Sequence, residues 1–313
     1  MVPELAPLKG QDFLSSADLD AAQTKALINL AADIKAGRRQ PRLDGKVLGL
    51  IFSKASTRTR VSFTVAMARL GGQTIDLNPS VSQVGRGEPI EDTARVLSRY
   101  MNALAIRTFA QADLQAYADA ASIPVINALT DLEHPCQALA DYLTMQEAFG
   151  SIEGRTMAYV GDGNNVAHSL LIAGALLGVN VRIGCPAGFH PDAAVVQQAT
   201  ELAQGRCRME VIEDPATAVA GAHAVYTDVW ASMGQEEEQA QRELAFRGFC
   251  VDQALMAHAD PEAIVLHCLP AHRGEEISAE VLEGAASRVF DQAENRLHAQ
   301  QALLATLLGA SEA

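Results

Sequence analysis

Paired cysteines are missing from this sequence. The five present, Cys136, Cys185, Cys207, Cys250 and Cys268, are odd in number, scattered and nowhere spaced as CxxC. That excludes a disulfide framework and a cysteine-based zinc site, and makes a reducing cytoplasm the expected compartment. Long apolar runs are also absent, and the N-terminal stretch carries Glu4 and Asp12 with no apolar core behind basic residues. Neither a membrane span nor a secretory leader is expected. Basic residues are scarce, 24 Lys and Arg against 38 Asp and Glu for a net charge of −14. Nucleic acid and anionic membrane surfaces, which are bound through a broad basic field, are therefore not expected partners. No repeat of about 20–50 residues emerges, which excludes a solenoid.

Aromatic residues are few, 5% against 49% hydrophobic overall, with Ala, Leu and Val abundant. This composition fits a layered α/β protein better than a β-sandwich or a disordered chain. At 313 residues the chain suits about two domains.

An acidic protein that binds an anionic substrate needs a local cluster of arginines, and one stretch begins such a cluster. Ser56-Thr57-Arg58-Thr59-Arg60 lies between the apolar run Val47–Phe52 and the helical pattern Val61–Leu70. A buried strand feeding a helix would gather two arginines, three hydroxyls and the first-turn N–H groups at a helix N-terminus, where a phosphate is favoured. The same residues also suit an ordinary cap, and arginines spaced i, i+2 point in different directions.

From residue 46 the sequence alternates short apolar strands with helix-period segments. The first half offers strands at 46–52, 74–77, 103–109 and 124–129; the second offers 156–161, 181–185, 209–212, 224–229 and 264–268. Such alternation predicts βαβ units around one parallel sheet in each half, flanked by helices. The helical segment 136–149, ending at Gly150, is placed at the domain boundary, and a last apolar helix over 294–308 is expected to pack back on the first domain. The expected division is 1–145 with 294–313, and 146–293, joined by two interdomain helices with a cleft between the domains. The acidic run 235–238 reads as a solvated first helical turn with no catalytic role.

Ligands of open α/β sheets bind beyond the carboxyl ends of the strands. Ser56–Arg60, Arg107, His134 and Gln137 follow strands of the first half; Asp162, Asn164, Asn165, Asp228, His267 and Cys268 follow strands of the second. One cationic rim and one bearing carboxylates and amides suit transfer between an anionic phosphate compound and a cationic amine.

These residues carry a resemblance. Ser56-Thr57-Arg58-Thr59-Arg60, His134-Pro135-Cys136-Gln137, Asp228-Val229-Trp230-Ala231-Ser232-Met233-Gly234 and His267-Cys268-Leu269-Pro270 together resemble the aspartate/ornithine carbamoyltransferase family. The last two motifs narrow the resemblance to its ornithine-specific members, and it extends over nearly the whole chain. It implies transfer of the carbamoyl group of carbamoyl phosphate to the δ-amine of L-ornithine, giving L-citrulline and phosphate, with arginine biosynthesis the commoner setting. It implies no metal and no organic cofactor.

By the same resemblance, Ser56, Thr57, Arg58 and Thr59 bind the phosphate, Arg107, His134 and Gln137 hold the carbamoyl end, and Arg296, in the last helix, reaches back to the same ligand. Thr59, Arg107 and His134 would stabilise the oxyanion. Gln83, in Ser82–Glu88, matches a loop that completes the neighbouring subunit's site, so a homotrimer or an assembly of trimers is implied. Asn165, Asp228, Ser232 and Met233 would surround the amino-acid end of ornithine, with Cys268 beside it and the Cys268-Leu269 backbone near the carbamoyl group. The catalytic residues implied are Arg107, His134 and Cys268. One departure is Ser53, where many members carry Glu.

Other readings remain. Gly161-Asp162-Gly163 after a strand begins a dinucleotide fingerprint, but Val166 stands at the third glycine and the strand 181–185 ends in Cys185-Pro186-Ala187 without a ribose-binding acid. A cysteine hydrolase built on Cys268 is opposed by the alternation of His267 and Cys268 along a strand. His134 before Pro135 also fits a simple helix boundary, and Trp230 and Met233 fit ordinary core. A subunit that kept the fold without the chemistry, and a carbamoyltransferase for another amine, are the remaining alternatives.

Overall fold

The computed structural model describes residues 2–54, 56–78, 87–231 and 239–312. The chain forms two compact units, Met1–Leu143 with Asn295–Ala313, and Thr144–Glu294. The first contains α1 (Ala21–Lys35), β1 (Pro41–Arg42), β2 (Val47–Phe52), α2 (Thr57–Arg69), β3 (Gln73–Leu77), α3 (Ile90–Leu97), β4 (Ala103–Arg107), α4 (Gln111–Ala120), β5 (Val125–Leu129) and the start of α5 (Pro135–Phe149). The second runs through β6 (Thr156–Val160), α6 (Asn165–Leu177), β7 (Asn180–Gly184), α7 (Ala193–Ala203), β8 (Met209–Ile212), α8 (Pro215–Val219) and β9 (Ala224–Thr227). It continues with α9 (Gln239–Ala245), α10 (Gln253–Met256), β10 (Ile264–His267) and α11 (Ala279–Leu282). Helix α12 (Val289–Leu307) then carries the chain back into the first unit, where β11 (Ser311–Glu312) pairs antiparallel with β1.

Each unit has one wholly parallel sheet, in the order β3-β2-β4-β5 and β10-β9-β6-β7-β8. Central strands of such sheets are covered on both faces, which is why β4 and β6 read as continuous apolar runs and are buried along nearly their whole length. Around β4 pack Ile51, Leu104, Ile106, Leu114 and Tyr117; around β6 and β9 pack Ala158, Val160, Val225, Phe246 and Val265. The edge strand β3 is largely exposed and correspondingly polar.

The strand orders place one switch point in each sheet. Strands β2 and β4 are neighbours, yet the chain leaves β2 toward β3 on one side and β4 toward β5 on the other. In the second sheet β6 and β9 are neighbours whose connections likewise diverge, to β7 and to β10. At such switch points the strand ends open a crevice. Phe52 pairs with Arg107 at the first and Val160 with Thr227 at the second. Ser56–Arg60 and Arg107 therefore follow the first switch point, and Asp162–Asn165 and Asp228 the second.

The expected strands are all present, most within one or two residues of their expected bounds. Helix α12 begins at Val289 rather than 294, because the apolar Val289 is fully buried and joins the core ahead of the polar turn that follows. Helix α2 begins at Thr57, ahead of the apolar pattern, because Ser56 caps it by accepting a hydrogen bond from Thr59 N–H.

The Gly161-Asp162-Gly163 turn has a packing explanation. A Cβ on Gly163 would lie 2.2 Å from Pro191 N and 2.7 Å from Phe189 O, backbone atoms that no rotamer change relieves. Gly163 N–H also donates to Phe189 O at 2.9 Å. The glycine thus admits the 189–191 loop, with no dinucleotide required. Gly163→Ala should lower unfolding stability by about 1–3 kcal/mol, the usual cost of overpacking, as read from a urea titration. A midpoint equal to the parent's would refute this close approach.

Candidate active site

In the first unit three of the sequence-predicted groups, Thr59, His134 and Gln137, converge on one guanidinium. Ser56 and the first turn of α2 follow β2, Arg107 ends β4, and His134 and Gln137 lie at the start of α5 after β5. Arg296, on α12, donates from Nη2 to Thr59 Oγ1 at 3.0 Å and from Nη1 to Gln137 Oε1, and its Nη1 lies 3.5 Å from His134 Nε2. Gln137 Nε2 donates in turn to Asp141 Oδ1 at 2.8 Å, one helical turn on. Thr59, His134, Gln137, Asp141 and Arg296 are all buried. Thr57 and Arg58 stay exposed at the helix N-terminus.

Burial, then the charges of Arg296 and Arg107, hold the His134 pKa well below the usual imidazole range. The ring is neutral at pH 7. A guanidinium only donates, so Nε2 is the acceptor toward Arg296 and the proton sits on Nδ1. The two arginines of the opening motif separate: Arg60 pairs with Asp76 and lies 5.1 Å over the Phe52 ring, while Arg58 stays at the helix tip.

Two attachments that gave no clear sequence signal hold these loops. Lys54 binds Asp131 Oδ1 at 2.6 Å and lies 4.2 Å over the Phe109 ring, tying the ends of β2, β4 and β5 together. Buried Glu133 accepts hydrogen bonds from Ser15 Oγ and from Ser16 N–H at 3.1 Å. It joins residues distant in sequence, which no local spacing reveals. The Gln137–Asp141 pair was readable as an i, i+4 contact.

In the second unit the groups gather on Asp228, just beyond β9. Its Oδ1 accepts from Val229 N–H at 2.8 Å and from Cys268 Sγ–H at 2.9 Å, and its Oδ2 accepts from Asn164 Nδ2 at 3.1 Å. Asn165 opens α6 beside it in sequence. His267 turns elsewhere: Nδ1 accepts Leu269 N–H at 2.9 Å, so Nε2 carries the proton and donates to Glu276 Oε1 at 3.0 Å. Glu276, fully buried, was not singled out in the sequence. Leu269 adopts φ +60°, unusual for a branched residue. His267 thus serves the Leu269 backbone rather than Cys268. Trp230 is core, stacked 5.7 Å from Phe246.

Gln83, Ser232 and Met233 lie outside the described residues, as do Gly234 and the acidic run 235–238. Asp228, His267 and Cys268 each offer one metal-ligand atom, all within 4.8 Å of one another. Sγ and both ring nitrogens of His267 are already hydrogen-bonded, so metal binding there would break such contacts. The other cysteines are poor nucleophiles: burial pushes Cys136 and Cys185 up to about 12 and Cys250 to about 11. Among the described residues, no helix is long and apolar enough to cross a membrane.

Residues 11–147 match the family model described as aspartate/ornithine carbamoyltransferase, carbamoyl-P binding domain, and residues 153–307 match its Asp/Orn binding domain. The chain is 70% identical to the ornithine carbamoyltransferase of Prochlorococcus marinus (strain MIT 9313), over 97% of this chain and 96% of that protein. Among solved structures it is similar to the ornithine carbamoyltransferase of Gloeobacter violaceus, with a TM-score of 0.88 and 55% identity over 96% of this chain and 99% of the other. For the Pyrococcus furiosus enzyme of that name the TM-score is 0.93, with 49% identity over 96% and 98%. Matched over most of its length by both domain models and by these relatives, the chain belongs to the aspartate/ornithine carbamoyltransferase family.

Proposed function

We propose that this carbamoyltransferase acts on L-ornithine, transferring the carbamoyl group of carbamoyl phosphate to its δ-amine to give L-citrulline and phosphate. The observation that carries this reading is the chemistry at the two switch points. A buried arginine, neutral histidine and helix N-terminus follow one, and a carboxylate linked to a thiol and an amide follows the other. The first set suits an anion and a developing oxyanion; the second suits an ammonium group. The names of the most similar relatives agree with this choice of amine.

Residues 1–145 with 294–313 act as the carbamoyl phosphate-binding domain in this reading, and 146–293 as the ornithine-binding domain. Ser56, Thr57, Arg58 and Thr59 take the phosphate. Arg107, His134, Gln137 and Arg296 hold the carbamoyl oxygen and nitrogen, and the neutral His134 donates its one N–H. Asp228 takes the α-ammonium, with Asn165, Ser232 and Met233 on the α-amino acid end and Cys268 with the Leu269 backbone near the reacting centre. The neutral δ-nitrogen attacks the carbamoyl carbon to form a tetrahedral intermediate. The bond from carbon to the bridging oxygen then breaks, phosphate departs with the electron pair, and the nitrogen loses its extra proton.

The setting is arginine biosynthesis in the cytoplasm, by a homotrimer in which Gln83 completes a neighbouring site.

Incubation with carbamoyl phosphate and, separately, ornithine, N-acetylornithine, putrescine or aspartate tests the reading through phosphate release and product identity. Citrulline from ornithine alone is the expected result. Turnover of another amine instead would keep the family and overturn the substrate.

The pH dependence has two parts. A δ-amine titrating near 10.4, as lysine does, makes kcat/KM rise between about pH 6 and about pH 9, with no His134 inflection near 6.5. A flat profile with chemistry rate-limiting would contradict direct attack by the neutral amine. Stability behaves separately. Because folding depresses the His134 pKa, the unfolded chain binds more protons below about pH 6.5, so this group's contribution is present above that pH and lost as pH falls. His134→Asn should flatten the acid limb of the unfolding midpoint against pH; an acid limb unchanged by the substitution would contradict the assignment.

A further inference from the structure

Asn164 follows β6 on the second rim, and its surroundings are specific. It is the N-cap of α6, and its Oδ1 accepts from Val166 N–H at 2.9 Å and Ala167 N–H at 3.3 Å. Tyr159 O–H reaches the same oxygen at 3.3 Å. Three donors converging on one atom require it to be the acceptor, so the amide orientation is determined by its environment. Its Nδ2 is then directed at Asp228 Oδ2, 3.1 Å away. A flipped amide would set two lone-pair-bearing oxygens against each other and face N–H against three donors.

We infer that Asn164 is a positioning residue for ornithine recognition: it orients the Asp228 carboxylate and holds it ready for the substrate's α-ammonium group. The inference rests on the ornithine reading given above. Asp228 Oδ1 is engaged by Val229 N–H and the Cys268 thiol, so Asn164 supplies the second anchor, on Oδ2, that restrains rotation of the carboxylate. The neutral amide anchors the carboxylate without cancelling its charge. The anchor is itself secured from behind. Tyr159 is fully buried, and burial together with the carboxylates of Asp228 and Asp162 pushes its hydroxyl well above the usual range, so it remains a donor. A buried tyrosine, a helix cap and a substrate-binding carboxylate thus form one chain, in which the cap fixes the amide and the amide fixes the carboxylate.

Asn164→Ser separates this role from the capping role. Serine caps a helix about as well as asparagine, but its short side chain withdraws the donor from Asp228. The expected result is an ornithine KM raised about ten-fold, as for loss of a hydrogen bond to a charged group. The KM for carbamoyl phosphate should stay near its parent value, while the thermal unfolding midpoint falls, because the buried Tyr159 hydroxyl also loses its acceptor. Tyr159→Phe, which keeps the ring and removes the hydroxyl, should raise the ornithine KM in the same direction and by less. It supplies the test if the serine variant does not fold. An ornithine KM unchanged in folded variants, or one that rises together with that for carbamoyl phosphate, overturns the inference alone. A parent protein without ornithine turnover removes the substrate reading and this inference with it.

Discussion

The Arg296 guanidinium reaches the N-terminal ends of two other helices at once. It donates to Thr59 on α2 and to Gln137 on α5, with His134 alongside, and all four groups are buried. Those three partners carry no negative charge, so these contacts position the cation without neutralising it. A planar fork can serve several acceptors at fixed angles, which a lysine cannot do. This contact links α12 to the first turn of α2, after β2. It also contributes to the low His134 pKa, and so keeps the imidazole a neutral hydrogen-bond donor.

Topology supplies the places and side-chain chemistry supplies the difference between them. Both sheets are parallel and both have a switch point, at β2/β4 and at β6/β9. At the first, hydroxyls, arginines and helix N–H groups collect. At the second, a carboxylate is held by a thiol, a backbone N–H and an amide. A net charge of −14 leaves the local arginine cluster, rather than the protein's overall field, to favour an anion.

Much of this was legible before any coordinates. Alternating apolar runs marked the strands because fully covered parallel strands have little polar surface to interrupt them, and Arg107, His134, Gln137 and Asp228 were found by following strand ends. What escaped was long-range or dual-purpose. Glu133 reaches Ser15 and Ser16 over 117 residues or more, and Lys54 joins three loops distant in sequence. Glu276 looks like a surface acid until His267 is found against it. Asn164 carries an ordinary cap signal, and only the convergence of three donors on one of its atoms shows where the other must point. The start of α12 was misplaced because Val289 joins the core before the helical pattern becomes regular.

In this reading the Arg296 fork, rather than positive charge alone, organises the proposed carbamoyl phosphate site. Calorimetric titration of carbamoyl phosphate into the parent protein and into Arg296→Lys tests it most directly, because lysine keeps the charge and loses the paired donors. Affinity at least about ten-fold weaker is expected in the variant, in keeping with loss of charge-assisted hydrogen bonds. Equal affinity in a folded variant would show that the fork is dispensable.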